Sequence, residues 1–195
     1  MNDSSLDSEY WNNRYVNNET GWDISMISRP IKEYLDQYSN KSDKVLIPGA
    51  GNAHEAEYAS RIGFNNVHIL DFAESPIEKF KNAHPQFTSE HIHCEDFFLH
   101  DSKYDLILEQ TFFCAINPSL RKNYAEKMHS LLKKNGKLVG LLFDTNFEGG
   151  PPFGGNKEEY LDYFSPLFNI KTFDKCYNSI NPRAGRELFV ILIRK

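Results

Sequence analysis

Cysteine is scarce in this sequence and is never paired. The 195 residues include three cysteines, Cys94, Cys114 and Cys176, and no two of them form a CxxC motif. Widely spaced cysteines disfavour a disulfide framework and a zinc knuckle, and they are typical of proteins in a reducing compartment. We therefore expect a cytoplasmic location.

Long apolar segments and runs of basic residues are missing as well. No stretch approaches the ~20 apolar residues of a membrane-spanning helix, and the polar start MNDSSLDSEY does not resemble a secretory signal. The formal net charge of −5 argues against nonspecific binding to nucleic acid, which requires positive charge. The length predicts a single domain over residues 1–195 with a full core. We expect a monomer that binds neither membranes nor nucleic acid and acts on a small molecule.

The clearest pattern in the chain runs from Lys44 to Asp71. An apolar run at residues 45–47 is followed by Gly49-Ala50-Gly51, and Asn52 is placed to cap a helix that begins at Ala53 and ends near Gly63. A second apolar run ends at Asp71. The order of strand, glycine turn, helix, strand and acid predicts one right-handed βαβ unit.

The glycines and the acid of this unit suggest a nucleoside site. Gly49 and Gly51 allow a sharp turn and the close approach of a ligand. Asp71 lies about 20 residues further on, where a carboxylate accepts both hydroxyls of a ribose. The third glycine of a pyrophosphate-binding GxGxxG motif is replaced by His54. The pattern therefore favours a nucleoside ligand without phosphates, such as S-adenosylmethionine, over a nicotinamide cofactor; a plain βαβ unit with an incidental acid is the alternative.

Large aromatic residues precede the first strand, in a segment over residues 1–40 that we expect to form a helical arm. Trp11 and Tyr15 are four residues apart and share one helical face, and Trp22 follows. Such residues commonly anchor a helix on the core. They are equally suited to cover a ligand, and a sulfonium cation is attracted to aromatic rings.

A second acid, Asp96, follows the weak third strand and precedes Phe97. A carboxylate at this position can accept from an adenine amino group while the ring covers the base; the alternative is a solvated acid beside a core aromatic. His91, His93 and His100 lie nearby, but a metal site requires more convergent ligands. We therefore expect these histidines to be structural or exposed, and no metal.

Further candidates lie near the C-terminus and just after a fourth predicted strand, the apolar segment over residues 104–108. Glu109 and Gln110 would lie at the carboxyl edge of the sheet, where open α/β folds bind their ligands. Cys114 has no base nearby in sequence, so packing or a place in a pocket wall is favoured over nucleophilic catalysis. Arg183 and Arg186 lie in one turn and either are solvated or ion-paired, or bind an anionic or polar acceptor.

The pattern of elements predicts the fold class. A helical arm precedes about five alternating βα units, and two strands at residues 168–175 and 187–194 can pair as an antiparallel hairpin. This order indicates an α/β protein with a doubly wound sheet and helices on both faces.

Several segments together resemble the thiopurine methyltransferase superfamily, and most of all its thiocyanate, methyl halide and thiol methyltransferase branch. They are WNNRYVNNETGWD, VLIPGAG, ILDFAESPI, EDFF, YDLILEQTFFCAI, DTNFEGGPPF and PRAGRE. The resemblance covers nearly the whole chain. It implies a Rossmann-like, seven-stranded class I methyltransferase that uses S-adenosylmethionine and releases S-adenosylhomocysteine.

The resemblance also implies roles for individual residues. It places the following residues at the cofactor: Trp11, Tyr15, Trp22, Gly49, Gly51, Asp71, Asp96, Phe97, Glu109 and Gln110. The branch often has tryptophan at the position of Tyr15 and an aromatic residue at that of Gln110, so the acceptor preference is left open. A thiol, bisulfide, thiocyanate or halide is the expected acceptor. The alternatives are a larger thiol or thiopurine, an inactive cofactor-binding regulatory protein, and a nicotinamide-dependent oxidoreductase.

Overall fold

A seven-stranded sheet runs through the structure, a computed structural model in which residues 6–195 are described. The strands are β1 (Val45–Pro48), β2 (Val67–Asp71), β3 (Ile92–Cys94), β4 (Tyr104–Gln110), β5 (Leu132–Phe143), β6 (Phe168–Lys175) and β7 (Glu187–Arg194). Their order is β3-β2-β1-β4-β5-β7-β6. The first five strands are parallel, and β7 is antiparallel to both β5 and β6. All parallel carboxyl ends therefore meet at one edge.

Helices cover both faces of the sheet, as the sequence predicts. They are α1 (Ser8–Val16), α2 (Arg29–Asp36), α3 (His54–Arg61), α4 (Glu74–Ala83), α5 (Arg121–Leu131) and α6 (Lys157–Phe164). Side chains alternate along β1, so Leu46 packs in the core beneath α5 and α6, while Val45 and Ile47 pack in the core beneath α2, α3 and α4.

Several predicted boundaries are confirmed, and others are wrong. The sequence also predicts a short helix over residues 157–164, and α6, β6 and β7 all have the predicted ends. Asn52 does not cap α3: the residue before this helix is Ala53, in a left-handed conformation with φ of 55°, and the Asn52 amide instead donates to Asp23. The sequence predicts a fifth strand over residues 138–143, but β5 begins at Leu132, because Leu132 pairs with Tyr104 before a register shift.

Two further details differ from the expected alternation. Residues 95–103, between β3 and β4, form a loop without a helix. The sequence predicts one helix from Asn117 to about Leu132, and the structure divides this segment into a 3₁₀ turn, Pro118–Leu120, and α5. The polar segment over residues 1–7, which we expect to be loosely held, lies mostly outside the described residues. No described helix has the length and apolar character needed to span a membrane.

Candidate active site

A cavity of about 1250 Å³ opens at the carboxyl edge of the sheet. It extends from the loop after β3, past the ends of β2, β1 and β4, to β5 and the turn before β7. It is lined by most of the residues that the sequence analysis selected: Trp11, Tyr15, Trp22, Gly49, Asp71, Asp96, Phe97, Cys114, Arg183 and Arg186. Gly51 and Gln110 line a smaller adjoining cleft of about 60 Å³. The topology thus brings together residues that are up to 175 positions apart, from Trp11 to Arg186.

Asp71 lies at the end of β2 with its carboxylate turned toward the glycine turn. The Gly51 amide donates to Oδ2 at 2.8 Å, and the Ala73 amide donates to Oδ1 at 2.9 Å. Burial raises the pKa of Asp71, and the Ala73 and Gly51 N–H groups act in the opposite direction. Each oxygen keeps a lone pair for another donor. Asp71 can therefore fasten the turn and also accept ribose hydroxyls.

The two glycines are explained by more than ligand access. A Cβ on Gly51, whose φ is 51°, would lie 2.3 Å from the Tyr15 hydroxyl, and a Cβ on Gly49 would lie 2.4 Å from the Phe112 ring. The predicted free space above the turn is therefore occupied by two aromatic side chains in this structure. These rings form the wall of the site next to the glycine turn.

The aromatic residues of the N-terminal arm form one cluster. The Trp11 and Trp22 rings meet edge to face at 5.4 Å, as do the Tyr15 and Trp22 rings at 5.8 Å. The Ser75 amide at the start of α4 donates to the Asn12 side chain at 2.8 Å, which ties α1 to the fold. The arm is therefore anchored on the fold and also lines the cavity, and its covering of a ligand stays a prediction.

A polar network that sequence reasoning missed links this arm to the glycine turn. Asp23 accepts from the Asn52 amide, and its Oδ1 lies 2.8 Å from His54 Nε2. Burial raises the pKa of Asp23, but the Ser25 N–H, Asn52 and His54 together outweigh burial and lower it. Asp23 directly follows Trp22, and His54 stands where a GxGxxG motif has its third glycine. The sequence does not predict the contact between Asp23 and His54, because 31 positions separate them.

Glu109 is buried beneath the turn that follows β4 and binds the backbone of that turn. Its carboxylate accepts from the Phe112 and Phe113 amides at 2.8 and 2.9 Å and from the Tyr124 hydroxyl. Burial raises its pKa to about 7. Glu109 is not among the described residues that line the two cavities. The structure does not bring Glu109 to either cavity, so its place at the cofactor stays a prediction; in the structure it holds the turn that positions Phe112.

Gln110 carries a polar group that the protein leaves unused. Its Oε1 accepts from Ser28 Oγ at 2.6 Å, and its buried Nε2 has no hydrogen-bond partner within residues 6–195. Because a serine hydroxyl either donates or accepts, one polar atom of this amide stays unpaired in either orientation. A buried polar group of this kind beside the glycine turn fits a polar ligand in the cleft.

The two arginines have different surroundings. Arg183 is buried, donates to the Trp22 carbonyl at 2.7 Å and lies 3.7 Å from Glu187, so much of its charge is already paired. Arg186 is exposed, lies 4.9 Å from the Phe147 ring centre, and forms no ion pair with any described residue. Arg186 is thus the arginine whose charge is available to a ligand.

Cys114 lines the cavity as a thiol. Burial, followed by the nearby Glu109, raises its pKa to about 12. Its backbone carbonyl accepts from the Phe153 amide at 2.7 Å, which fastens the loop over residues 144–155 to the site. Phe147, Pro151 and Pro152 of that loop line the cavity. These contacts agree with a place in the pocket wall.

The described architecture is that of a Rossmann-like class I methyltransferase. The same fold occurs in the 1,6-didemethyltoxoflavin-N1-methyltransferase of Burkholderia thailandensis, solved with bound 1,6-didemethyltoxoflavin and S-adenosylhomocysteine. That structure matches with a TM-score of 0.72 and 19% identity, over 96% of this chain and 86% of that chain.

The chain belongs to the thiopurine S-methyltransferase family, whose model matches residues 6–190. It is 31% identical to thiocyanate methyltransferase 1 of Brassica oleracea, over 91% of this chain and 81% of the relative. It is 25% identical to the thiopurine S-methyltransferase of Photobacterium profundum, over 82% and 83% of the two chains. It is an S-adenosylmethionine-dependent methyltransferase, and the nicotinamide alternative is set aside.

Proposed function

We propose that this enzyme methylates a small, soft, anionic nucleophile, such as thiocyanate, bisulfide, a halide or a small thiolate. The observation that carries this proposal is the composition of one end of the large cavity, which we call the acceptor end. It comprises Cys114, Phe143, Phe147, Pro151, Pro152, Pro182, Arg183 and Arg186. The titratable groups among these residues are one thiol and two guanidinium groups.

The acceptor end offers positive charge but little help with proton removal. The Cys114 thiol is too weak an acid to be a thiolate near neutral pH, and an arginine stays protonated. An acceptor that arrives already ionised needs no general base. A soft anion attracted by Arg186 and surrounded by aromatic and proline side chains fits this chemistry.

The other end of the cavity suits the methyl donor. S-adenosylmethionine supplies a methyl group made electrophilic by the sulfonium charge. We infer that Asp71 accepts the ribose hydroxyls, that Asp96 and Phe97 contact the adenine, and that the unpaired amide atom of Gln110 contacts the polar methionine end. The Tyr15 and Trp22 rings offer π faces to the sulfonium.

The residues then act mainly by alignment. The arm rings line the cavity beside the proposed cofactor residues, and the loop over residues 144–155 lines the acceptor end. In the proposed function both help to exclude water and to position the two reactants for in-line transfer. This proposal does not require a covalent intermediate on the protein. The spacing of the cysteines supports our further proposal that the enzyme works in the cytoplasm.

A larger thiol or a thiopurine is the second candidate acceptor, and the cavity volume favours it. The cavity of about 1250 Å³ has to hold both the cofactor and the acceptor, whereas a site for one small molecule occupies roughly 300–1,000 Å³. A heteroaromatic thiol therefore has room to stack on Phe147 beside the cofactor site.

An acceptor panel tests the proposal. The purified enzyme is incubated with S-adenosylmethionine and with thiocyanate, bisulfide, iodide or a thiopurine, and the methylated product is measured together with cofactor binding. Turnover of the small anions supports the proposal. Turnover of the thiopurine alone favours the larger acceptor, whereas cofactor binding without any turnover would contradict both candidates and favour a regulatory role.

Replacing Arg186 with alanine should raise KM for an anionic acceptor about fivefold and leave kcat nearly unchanged. The expected loss is modest because exposed charges are screened by solvent, and it should shrink as ionic strength rises. Steady-state kinetics at two salt concentrations measure both effects.

Two variants control this prediction. Arg186→Lys keeps the positive charge, so its KM should stay close to the wild-type value. Arg61→Ala removes an arginine that lies over the Tyr58 ring and lines neither cavity, so its KM should not change. An Arg186→Ala enzyme with the wild-type KM at low salt would remove Arg186 from the acceptor site.

A further inference from the structure

Three potential metal ligands converge at the edge of the sheet beyond β2. His93 lies in β3, Glu95 directly follows that strand, and His100 lies in the loop before β4. One ligand atom from each residue lies within 4.8 Å of the ligand atoms of the other two. His100 is buried, whereas the Glu95 side chain is 45% exposed, so the cluster has a rigid inner side and an open outer side.

A relay of hydrogen bonds orients His93. The His68 Nε2 lies 3.0 Å from the Asn66 side-chain oxygen, which only accepts, so His68 Nε2 carries the hydrogen. The His68 Nδ1 is then an acceptor, and it lies 3.1 Å from His93 Nε2, which must donate to it. The Nδ1 lone pair of His93 is therefore left for another partner.

His100 is held in the same manner. Its Nε2 lies 2.7 Å from the Tyr104 hydroxyl and its Nδ1 lies 2.6 Å from Glu95 Oε1. A cation placed between Nδ1 and the carboxylate would take the Nδ1 lone pair. The ring hydrogen would then be carried by Nε2, which would donate it to the Tyr104 oxygen, so no proton needs to leave the neutral ring.

We propose that His93, Glu95 and His100 bind a divalent transition-metal cation, with Zn²⁺ the best fit to two imidazoles and one carboxylate. Two histidines and one glutamate are a known three-ligand zinc set that leaves one position open. Histidine ligands normally donate their other ring nitrogen to an outer partner that fixes the ring. His68 and Tyr104 already occupy those outer positions, and the cluster is open to solvent at the exposed Glu95 side chain.

The site lies outside the proposed methyl-transfer machinery but adjoins it. Glu95 lines the large cavity and precedes Asp96 and Phe97, which we place at the adenine. A bound cation would brace the loop over residues 95–100 against β3. We therefore assign to the metal a structural role at the nucleoside end of the cavity and no part in the methyl transfer.

Zinc titration of the full-length protein tests this site. The protein is first treated with a chelator and dialysed, and ZnSO₄ binding is then measured by calorimetry. We expect one Zn²⁺ per chain, and a drop in affinity of at least about tenfold in Glu95→Gln and in His93→Gln. Glu95→Gln is the key variant, because its exposed side chain can be changed without opening the core, whereas His100 is buried.

Two controls separate this site from adventitious binding. His84→Gln removes a histidine outside the cluster, and Cys94→Ser removes the exposed thiol between two of the ligands. Both should bind Zn²⁺ as the wild type does, and Co²⁺ in the site should show ligand-field bands without a thiolate charge-transfer band. The proposal is overturned if no stoichiometric binding is found, if Glu95→Gln and His93→Gln bind as the wild type does, or if Cys94→Ser abolishes binding.

Discussion

Replacing Asp71 with alanine should lower the affinity for S-adenosylmethionine by at least about 100-fold. The carboxylate is the proposed acceptor for two ribose hydroxyls, and hydrogen bonds to a charged group contribute about 1.5–3 kcal/mol each. In the wild type the Gly51 and Ala73 amides donate to this carboxylate. The alanine variant loses both hydrogen bonds, so the glycine turn is loosened as well. Calorimetric titration of the cofactor measures the loss.

Asp105→Ala is the matched control for that experiment. Asp105 also accepts a backbone N–H, from Lys44 at 2.9 Å, but it lies in β4 near the opposite edge of the sheet. Both variants lose a carboxylate that fastens a strand end, and only Asp71→Ala should lose the cofactor. A wild-type dissociation constant for a folded Asp71→Ala protein would exclude Asp71 from the ribose site.

Replacing Glu109 with glutamine should flatten the dependence of stability on pH. The pKa of Glu109 is raised to about 7 in the folded protein, chiefly by burial, from 4.5. Because the unfolded chain loses this proton first, the free energy of unfolding falls as pH rises from about 4.5 to about 7, and Glu109 causes no further change above that. The loss is on the order of 3 kcal/mol. Glutamine does not ionise, so its variant should lack this slope.

Urea unfolding at several pH values between 4.5 and 8 compares the two proteins. Glutamine can accept from the Phe112 and Phe113 amides through its oxygen and donate to Tyr124, so the fold should be kept. Glu90→Gln changes an exposed carboxylate and should leave the wild-type profile unchanged. Parallel profiles for wild type and Glu109→Gln would mean that Glu109 is not the buried group that titrates.

The elements that the sequence predicts best are those with strong local signals. The apolar run before Gly49 and the acid at the end of β2 lie within one short segment and are typical of a βαβ unit, so this unit can be located from the sequence. Its role at a nucleoside stays a prediction. Strands β6 and β7 are predicted as well, because their apolar content and the turn between them are local features.

The parts that the sequence does not predict depend on contacts between distant segments. Glu109 lies at a strand end, as ligand-binding acids do, and only the fold shows that the Phe112 and Phe113 amides and Tyr124 surround it. The histidines are visible in the sequence, but Glu95 becomes a third ligand candidate only because the loop over residues 95–103 lacks a helix and folds back on β3. In helices and strands the periodic pattern of apolar residues indicates which way each side chain points. A loop has no such pattern, so the directions of its side chains cannot be predicted in this way.

The position of β7 between β5 and β6 implies an order of assembly during translation. Residues 168–175 leave the ribosome first, yet β6 joins the sheet only through β7, so it has no strand partner until residues 187–194 have emerged. The βαβ unit with Gly49 and Asp71 is available much earlier. In a nascent chain the proposed methyl-donor end of the cavity can therefore form before Arg183 and Arg186 are synthesised, and the proposed acceptor end is completed last.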